Sequence, residues 1–264
     1  MLIDTHAHLD FASFDADREA VIERARQAGV EKIVNITSYA KDFDKVKQIA
    51  ASHDNIWHAA GIHPHDTAQL KDPKWLARVK TLAIGPKAVA IGEIGLDYFK
   101  MPPLPAEPRQ RRGENTKEEQ KQLFQSQLTI AQELKLPVIL HIRDAYDDVY
   151  EMVKSLKLRG VVHCYSGTVE WAKRFLELGF MISFTGIITF PKTAILSEVI
   201  KAVPLERIMV ETDCPFLAPQ RIRGQRCEPA YVKDVAEKIA EIKGISFEDV
   251  TRATTKNAEK FFNV

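Results

Sequence analysis

Cysteine is scarce in this chain: three residues in 264, Cys164, Cys214 and Cys227, with no CxxC spacing among them. An odd number so placed excludes a disulfide framework and a thiolate zinc site, and reads as the reduced thiols of a cytoplasmic protein. An excess of charge is missing too, because 37 Lys and Arg offset 36 Asp and Glu to a formal net +1. No global field draws such a protein to nucleic acid or to a membrane surface, so attraction for a polyanion must come from a local patch. No apolar run is long enough to span a bilayer, and no charged-then-apolar leader opens the chain. Low-complexity segments and internal repeats are lacking, and no glycine-rich phosphate loop follows the first apolar run.

What is present is an alternation of short apolar runs with amphipathic stretches. Residues 2–8, 32–37, 56–62, 88–95, 138–142, 160–164, 180–185 and 207–212 are expected strands. Residues 17–29, 42–52, 74–82, 116–136, 145–156, 169–178, 194–203, 230–242 and 247–262 are expected helices. Thr116 with Glu119 three residues later reads as a capping box at the start of one of them. Eight strand–helix units in series predict a parallel (β/α)8 TIM barrel, undivided over residues 1–264. An open doubly wound sheet is the alternative, and the absent phosphate loop argues against it. Residues 100–115, with four prolines and several arginines, break the rhythm and are expected to form a long loop beside the site.

Polar residues recur at the ends of these apolar runs. His6 and His8, two apart on one strand, project to the same face. Glu93, His141, His163 and Asp213 interrupt or terminate four further runs, and the C-terminal strand ends of such a barrel share one rim. Any one of them is ordinarily a hydrogen-bonded core residue. Six on one rim would leave buried polar groups uncompensated unless a cation neutralised them. Four imidazoles and two carboxylates exceed the needs of one ion that keeps an open position, so two ions sharing Glu93 are expected. His6, His8 and Asp213 would complete one site, and His141 and His163 the other. The residual positive charge suits an anionic substrate such as a phosphodiester, and water acidified by the ions gives the nucleophile. Glu93 and Asp213 are the expected catalytic carboxylates, Asp213 also accepting the proton of that water.

The motifs Asp4-Thr5-His6-Ala7-His8, Gly61-Ile62-His63-Pro64-His65, Ile91-Gly92-Glu93-Ile94-Gly95-Leu96-Asp97, His141-Ile142-Arg143-Asp144-Ala145, His163-Cys164-Tyr165-Ser166-Gly167 and Glu211-Thr212-Asp213-Cys214-Pro215-Phe216-Leu217, in this order, resemble the TatD family of metal-dependent deoxyribonucleases. That family lies within the wider amidohydrolase-like barrels. The resemblance covers essentially the whole chain and implies a two-metal phosphoesterase acting on DNA, with the six ligands where the residues themselves place them. Two departures stand out. The family's Arg-Asn-Glu-Pro after the eighth strand is here Arg226-Cys227-Glu228-Pro229, and the 100–115 loop is longer. Both bear on substrate fit and leave the ligands intact.

Around the ligands, His63 and Arg143 are expected to meet substrate phosphate, together with Arg223. Packing of the loop is the competing role for His63 and His65, and an ion pair with Asp144 or Asp147 that for Arg143. Asp97 is expected to orient a ligand. Glu211 shares a strand face with Asp213 or serves as a buried ion-pair partner, and Cys164 is expected to be a small core residue. Arg109, Arg111 and Arg112 in one rim loop and Arg221, Arg223 and Arg226 in another would favour DNA. The expected activity is hydrolysis of DNA, 3′–5′ exonucleolytic as the resemblance implies, with two divalent ions, Mg or Mn ahead of Zn. No membrane and no obligate protein partner is implied. Hydrolysis of a small amide or ester, or a catalytically silent barrel that only binds, are the alternatives.

Overall fold

The apolar runs form eight strands in the computed structural model, which describes residues 1–99 and 116–264. They are β1 (Leu2–Ala7), β2 (Val30–Ile36), β3 (Ile56–Ala60), β4 (Ala88–Asp97), β5 (Val138–Arg143), β6 (Gly160–Val162), β7 (Met181–Phe184) and β8 (Ile208–Val210). Each pairs in parallel with its sequence neighbours, so the sheet order runs β1 to β8. Closure comes from the chain just beyond β8. Asp213 N donates to His6 O and His8 N donates to Cys214 O, each at 2.8 Å. The closed parallel arrangement is the expected (β/α)8 barrel.

Helices α1 (Arg18–Gln27), α2 (Phe43–Ser52), α3 (Trp75–Ala83), α4 (Lys117–Leu134), α5 (Tyr146–Val153), α6 (Val169–Glu177) and α7 (Ala194–Ala202) follow the first seven strands, and α8 (Val232–Lys243) and α9 (Phe247–Phe262) close the chain. The capping box at the head of α4 is present: Glu119 N donates to Thr116 Oγ1 at 3.1 Å, and Thr116 N donates to Glu119 Oε2 at 3.0 Å. Strands flanked by helices outside and packed side chains inside are buried on both faces, which is why they read as continuous apolar runs. Ile3, Val34, Ala59, Ile139, Val161, Met181 and Met209, one from each of seven strands, pack together with Phe261 and Phe262 of α9. They fill the interior, and α9 plugs its N-terminal end. A second, larger cluster lies between strands and helices.

Two irregularities position the site. The β1–β2 pairing shifts register between Asp4 and Ala7, and the β4–β5 pairing does so between Ile91 and Ile94. Such shifts re-aim side chains and are frequent next to active sites; here they bracket His6 and Glu93. β4 also runs to Asp97, two residues beyond its expected end, whereas β1, β6 and β8 stop early and leave His8, His163 and Asp213 just past the ladder. Gly95 allows β4 to lie against β5: its φ is +148°, and a Cβ there would overlap the His141 carbonyl. Among the described residues no helix is long and apolar enough to cross a membrane.

Candidate metal centre

Two of the four strand-end imidazoles are hydrogen-bonded to acceptors behind them, and a third has a carboxylate there. His8 Nδ1 lies 3.1 Å from Ile36 O. A carbonyl can only accept, so Nδ1 carries the proton and Nε2 is left bare toward the barrel mouth. His141 Nε2 lies 3.2 Å from Asp97 Oδ2, leaving Nδ1 to face inward. His163 Nδ1 lies 3.3 Å from Glu211 Oε1, leaving Nε2 inward. Glu211 is itself held, accepting from Cys164 N at 2.6 Å. Among the described residues the buried Nδ1 atoms of His6 and His163 are both without a hydrogen-bond partner, and only that of His163 has a carboxylate beside it. At His6, Asp4 instead fixes the backbone, accepting from His6 N at 3.2 Å, Thr212 N at 2.9 Å and Thr212 Oγ1 at 2.6 Å. This carboxylate ties the end of β1 to the segment that carries Asp213.

The inward atoms converge. His6 Nε2 and His8 Nε2 are 3.2 Å apart, and both face Asp213 Oδ1, at 3.5 and 3.2 Å. On the other side, His141 Nδ1 and His163 Nε2 are 3.1 Å apart and lie 3.3 and 3.0 Å from Glu93 Oε2. Glu93 Oε1 turns the opposite way, 3.6 Å from His8 Nε2, and accepts from Ser38 Oγ at 3.3 Å. All six expected ligands therefore meet, with Glu93 between the two halves. His6, His8 and Glu93 form one compact donor group, and His63, Glu93 and His141 another. The fit to divalent cations is chemical as well as geometric. Bare imidazole nitrogens about 3 Å apart are spaced as neighbours on one ion with bonds of roughly 2.1 Å, and imidazole with carboxylate is a donor set for Mg, Mn or Zn. Asp213 adopts φ +59°, a left-handed conformation uncommon outside glycine and found at functional positions.

Without ions, the same groups hold protons against one another. Burial disfavours charge on His6 and, with the neighbouring His163, pushes its pKa well below the usual imidazole range. Burial acts on His8 as well, but its bond to Asp213 and the charge of Glu93 outweigh that and raise it to about 9. His163 is raised well above its usual value by Glu211 and Glu93 despite burial. Burial alone would raise Glu93; His63, His141 and His163 overcome it and keep the carboxyl ionised. A centre whose charges balance only through protonated imidazoles exchanges those protons for metal.

Comparison with known proteins decides what this arrangement belongs to. Residues 3–263 match the family model described as TatD related DNase. The chain belongs to the TatD family. A Bacillus subtilis relative named uncharacterized metal-dependent hydrolase YabD is 39% identical, with 100% of each chain covered. A Klebsiella pneumoniae relative named 3'-5' ssDNA/RNA exonuclease TatD is 31% identical over 100% of this chain and 98% of its own. The crystal structure of YjjV, a TatD homologue from Escherichia coli K12, superposes with a TM-score of 0.89 at 32% identity, covering 100% of this chain and 98% of that one. This TatD protein is thus a metal-dependent hydrolase.

Around the TatD centre the structure sorts the outer residues. His63 is buried, its ring centroid 4.5 Å from that of His141, and its Nδ1 accepts from His65 N at 3.0 Å. It therefore both braces the loop and borders the centre. His65 Nε2 reaches Asp97 Oδ2 at 3.0 Å, so Asp97 joins His65 to His141. Arg143 is exposed at the mouth with its guanidinium 3.7 Å from the Phe99 ring centroid, and no ion pair joins it to Asp144 or Asp147. A cavity of about 430 Å³ opens there, lined by Arg143, His141, His163, Asp213, Ile187 and Phe216, among others.

Three expectations need correction or limits. Cys164 is not a core residue: β6 ends at Val162, Cys164 has φ +44°, and strand alternation no longer governs its side chain. It is part-exposed, lines the same cavity, and its Sγ lies 3.4 Å from Thr185 Oγ1. Arg226 is not free for a polyanion, since it pairs with Asp17 at 2.7 Å and Glu228 at 2.9 Å. Arg221 is likewise bound to Asp234, at 2.9 Å through its second nitrogen. Arg223 remains exposed, 4.8 Å from the Phe190 ring. Arg109, Arg111 and Arg112 lie outside the described residues. Ser38, which joins His8 to Glu93, and Phe216 were not anticipated. Ser38 carries a weak signal, as a polar residue two positions past the end of β2.

Proposed function

We propose that this protein is a 3′–5′ exonuclease of single-stranded DNA working with two divalent ions, Mg or Mn. The observation that carries this reading is the placement of Glu93, whose Oε2 faces His141 and His163, with His6 at 3.8 Å, and whose Oε1 faces His8. His6, His8 and Asp213 would hold one ion, His141 and His163 the other, and Glu93 both. When bound, the ions supply the Lewis acidity that makes water a nucleophile near neutral pH and neutralises a phosphodiester. The chain's own groups do the rest. Asp213, at the edge of the cavity, accepts the proton of the attacking water. Arg143 and Arg223 offset phosphate charge from the rim, and His63 borders the second ligand pair on the phosphate side. The DNA substrate and the direction of attack draw support from the Klebsiella relative's name, and a mouth of about 430 Å³ is sized for a single nucleotide unit. The free state of all three cysteines suits a cytoplasmic setting.

The test is hydrolysis of 5′-labelled single- and double-stranded DNA under Mg, Mn or chelator. The expected result is stepwise shortening of the single strand, abolished by chelator and restored by Mg or Mn. Undiminished hydrolysis in a metal-free preparation overturns the metal reading, and no hydrolysis of DNA under any ion overturns the nuclease reading.

A further inference from the structure

Phe216 is a large apolar side chain left 48% exposed three residues after Asp213. An aromatic ring in water beside a charged centre is a poor use of surface unless something covers it. Its backbone is fixed, because Phe216 N donates to Asp213 O at 3.0 Å. The turn that delivers Asp213 to the centre thus also delivers this ring. The ring is fixed as well. Phe11 meets it at 5.4 Å with the planes at 88°, and the His8 ring lies 6.3 Å away at 68°. Phe11 in turn packs edge-on against His8 at 5.2 Å and faces Tyr39 at 6.4 Å. This aromatic row braces Phe216 from behind, edge to face, the favoured geometry for such pairs.

The cavity in front has two characters. Its lining includes the polar His141, His163, Asp213 and Arg143 and the apolar Phe216, Leu217 and Ile187. A ligand that fills it meets charged and apolar side chains together, as a nucleotide with its phosphate and its flat base would. We propose that Phe216 is a stacking platform for the base of the 3′-terminal nucleotide, so that base stacking and phosphate binding together seat the scissile bond. This inference rests on the nuclease reading above. Stacking on an aromatic face is sequence-tolerant, because every base has a π-face. The platform therefore adds affinity for any terminal nucleotide without selecting among bases, as an exonuclease that moves along a strand requires.

The test compares two single-stranded oligodeoxynucleotides in Mg or Mn, one with an intact 3′-terminal nucleotide and one in which that nucleotide is abasic. Both are run with the wild-type protein, Phe216→Leu and Phe216→Trp. Leu keeps apolar volume against Phe11 and removes the π-face, whereas Trp keeps the face. In the wild type, KM for the abasic end is expected to be on the order of tenfold higher, the usual worth of one stacked base. Phe216→Leu should bring the two KM values together, and Phe216→Trp should keep them apart. A merely structural role would weaken both substrates alike and preserve their ratio. The inference is overturned if the wild type does not distinguish the two ends, or if Phe216→Leu still does. A wild type that cleaves both strands equally sinks the platform and leaves the nuclease reading standing. A wild type that cleaves neither sinks both.

Discussion

The Asp97 carboxylate holds the Nε2 edge of His141 at 3.2 Å, and by doing so selects Nδ1 as the atom that faces Glu93. Asp97 is buried, which alone would raise its pKa, but the bonds from His141 and His65 pull the carboxyl well below the usual range. It is ionised at any working pH. A charged acceptor behind an imidazole both fixes the ring and strengthens it as a donor, and losing such a partner typically costs about 10–100-fold in metal affinity. Asp97→Ala is accordingly expected to weaken metal binding toward the upper end of that range. Asp97→Asn, which keeps an acceptor oxygen and loses the charge, should fall nearer the lower end. Metal titration by calorimetry reads this directly. Unchanged affinity in Asp97→Ala would mean that His141 is oriented by other contacts.

On the two-ion reading proposed above, Glu93 is the residue whose loss should be most damaging. One carboxylate lies against His141, His163 and His8, so its removal reaches both halves of the centre. Glu93→Ala should lower turnover by orders of magnitude and leave a metal content below two per chain. The far-ultraviolet circular dichroism should be retained, because the barrel interior is packed independently of this residue. A variant that still holds two ions and turns over normally refutes the bridging role.

Much of this centre is readable in the primary structure because a polar residue that interrupts an apolar run must face something other than hydrocarbon. Glu93, His141, His163 and Asp213 are visible for that reason. What strand periodicity does not convey is parity. Ile3 packs in the barrel interior, so regular alternation would send His6 to the opposite face; the register shift between Asp4 and Ala7 resets it. Cys164 is misread by the same logic, since it lies beyond the end of β6. Ion-pair partners are equally hidden. Arg226 looks like a rim cation until the fold brings Asp17, from the start of α1, against it. Ser38 and the Phe11–Phe216 contact also join residues distant in the chain, and only closure of the barrel makes them neighbours.

Asp17 supplies a prediction about acid stability. Its bond from Arg226, opposed by burial and aided by Arg24, lowers its pKa from 3.8 to about 2. Glu228, which shares both arginines, is lowered in the same direction despite its burial. A carboxyl with a depressed pKa in the folded state binds fewer protons there than when unfolded. Its stabilisation is thus fully present above pH 4 and is lost as pH falls through the window from about 4 to 2. Asp17→Asn should lower Tm near neutral pH, and the gap from wild type should narrow as pH falls below 4. A constant gap at all pH values would assign the effect to packing instead of charge.

Arg223 and Arg226 lie three residues apart after β8, yet they should behave differently toward DNA. A cation contributes to the salt dependence of binding by releasing counterions when it neutralises a phosphate, with a slope close to one per contact. Arg226 is already neutralised by Asp17 and Glu228, so moving it onto a phosphate would break those bonds for little gain. Arg223 is exposed and rests only on the Phe190 ring, with no ion pair among the described residues. Arg223→Ala should therefore reduce the slope of log Kd against log salt by about one and weaken binding uniformly across sequences. Arg226→Ala should leave the slope unchanged while lowering Tm. The measurement is fluorescence anisotropy with a labelled single strand across a salt series, with Ca in place of the catalytic ion. Equal slopes for wild type and Arg223→Ala would remove Arg223 from the DNA path. A slope reduced only by Arg226→Ala would show that the pair with Asp17 opens when the strand arrives.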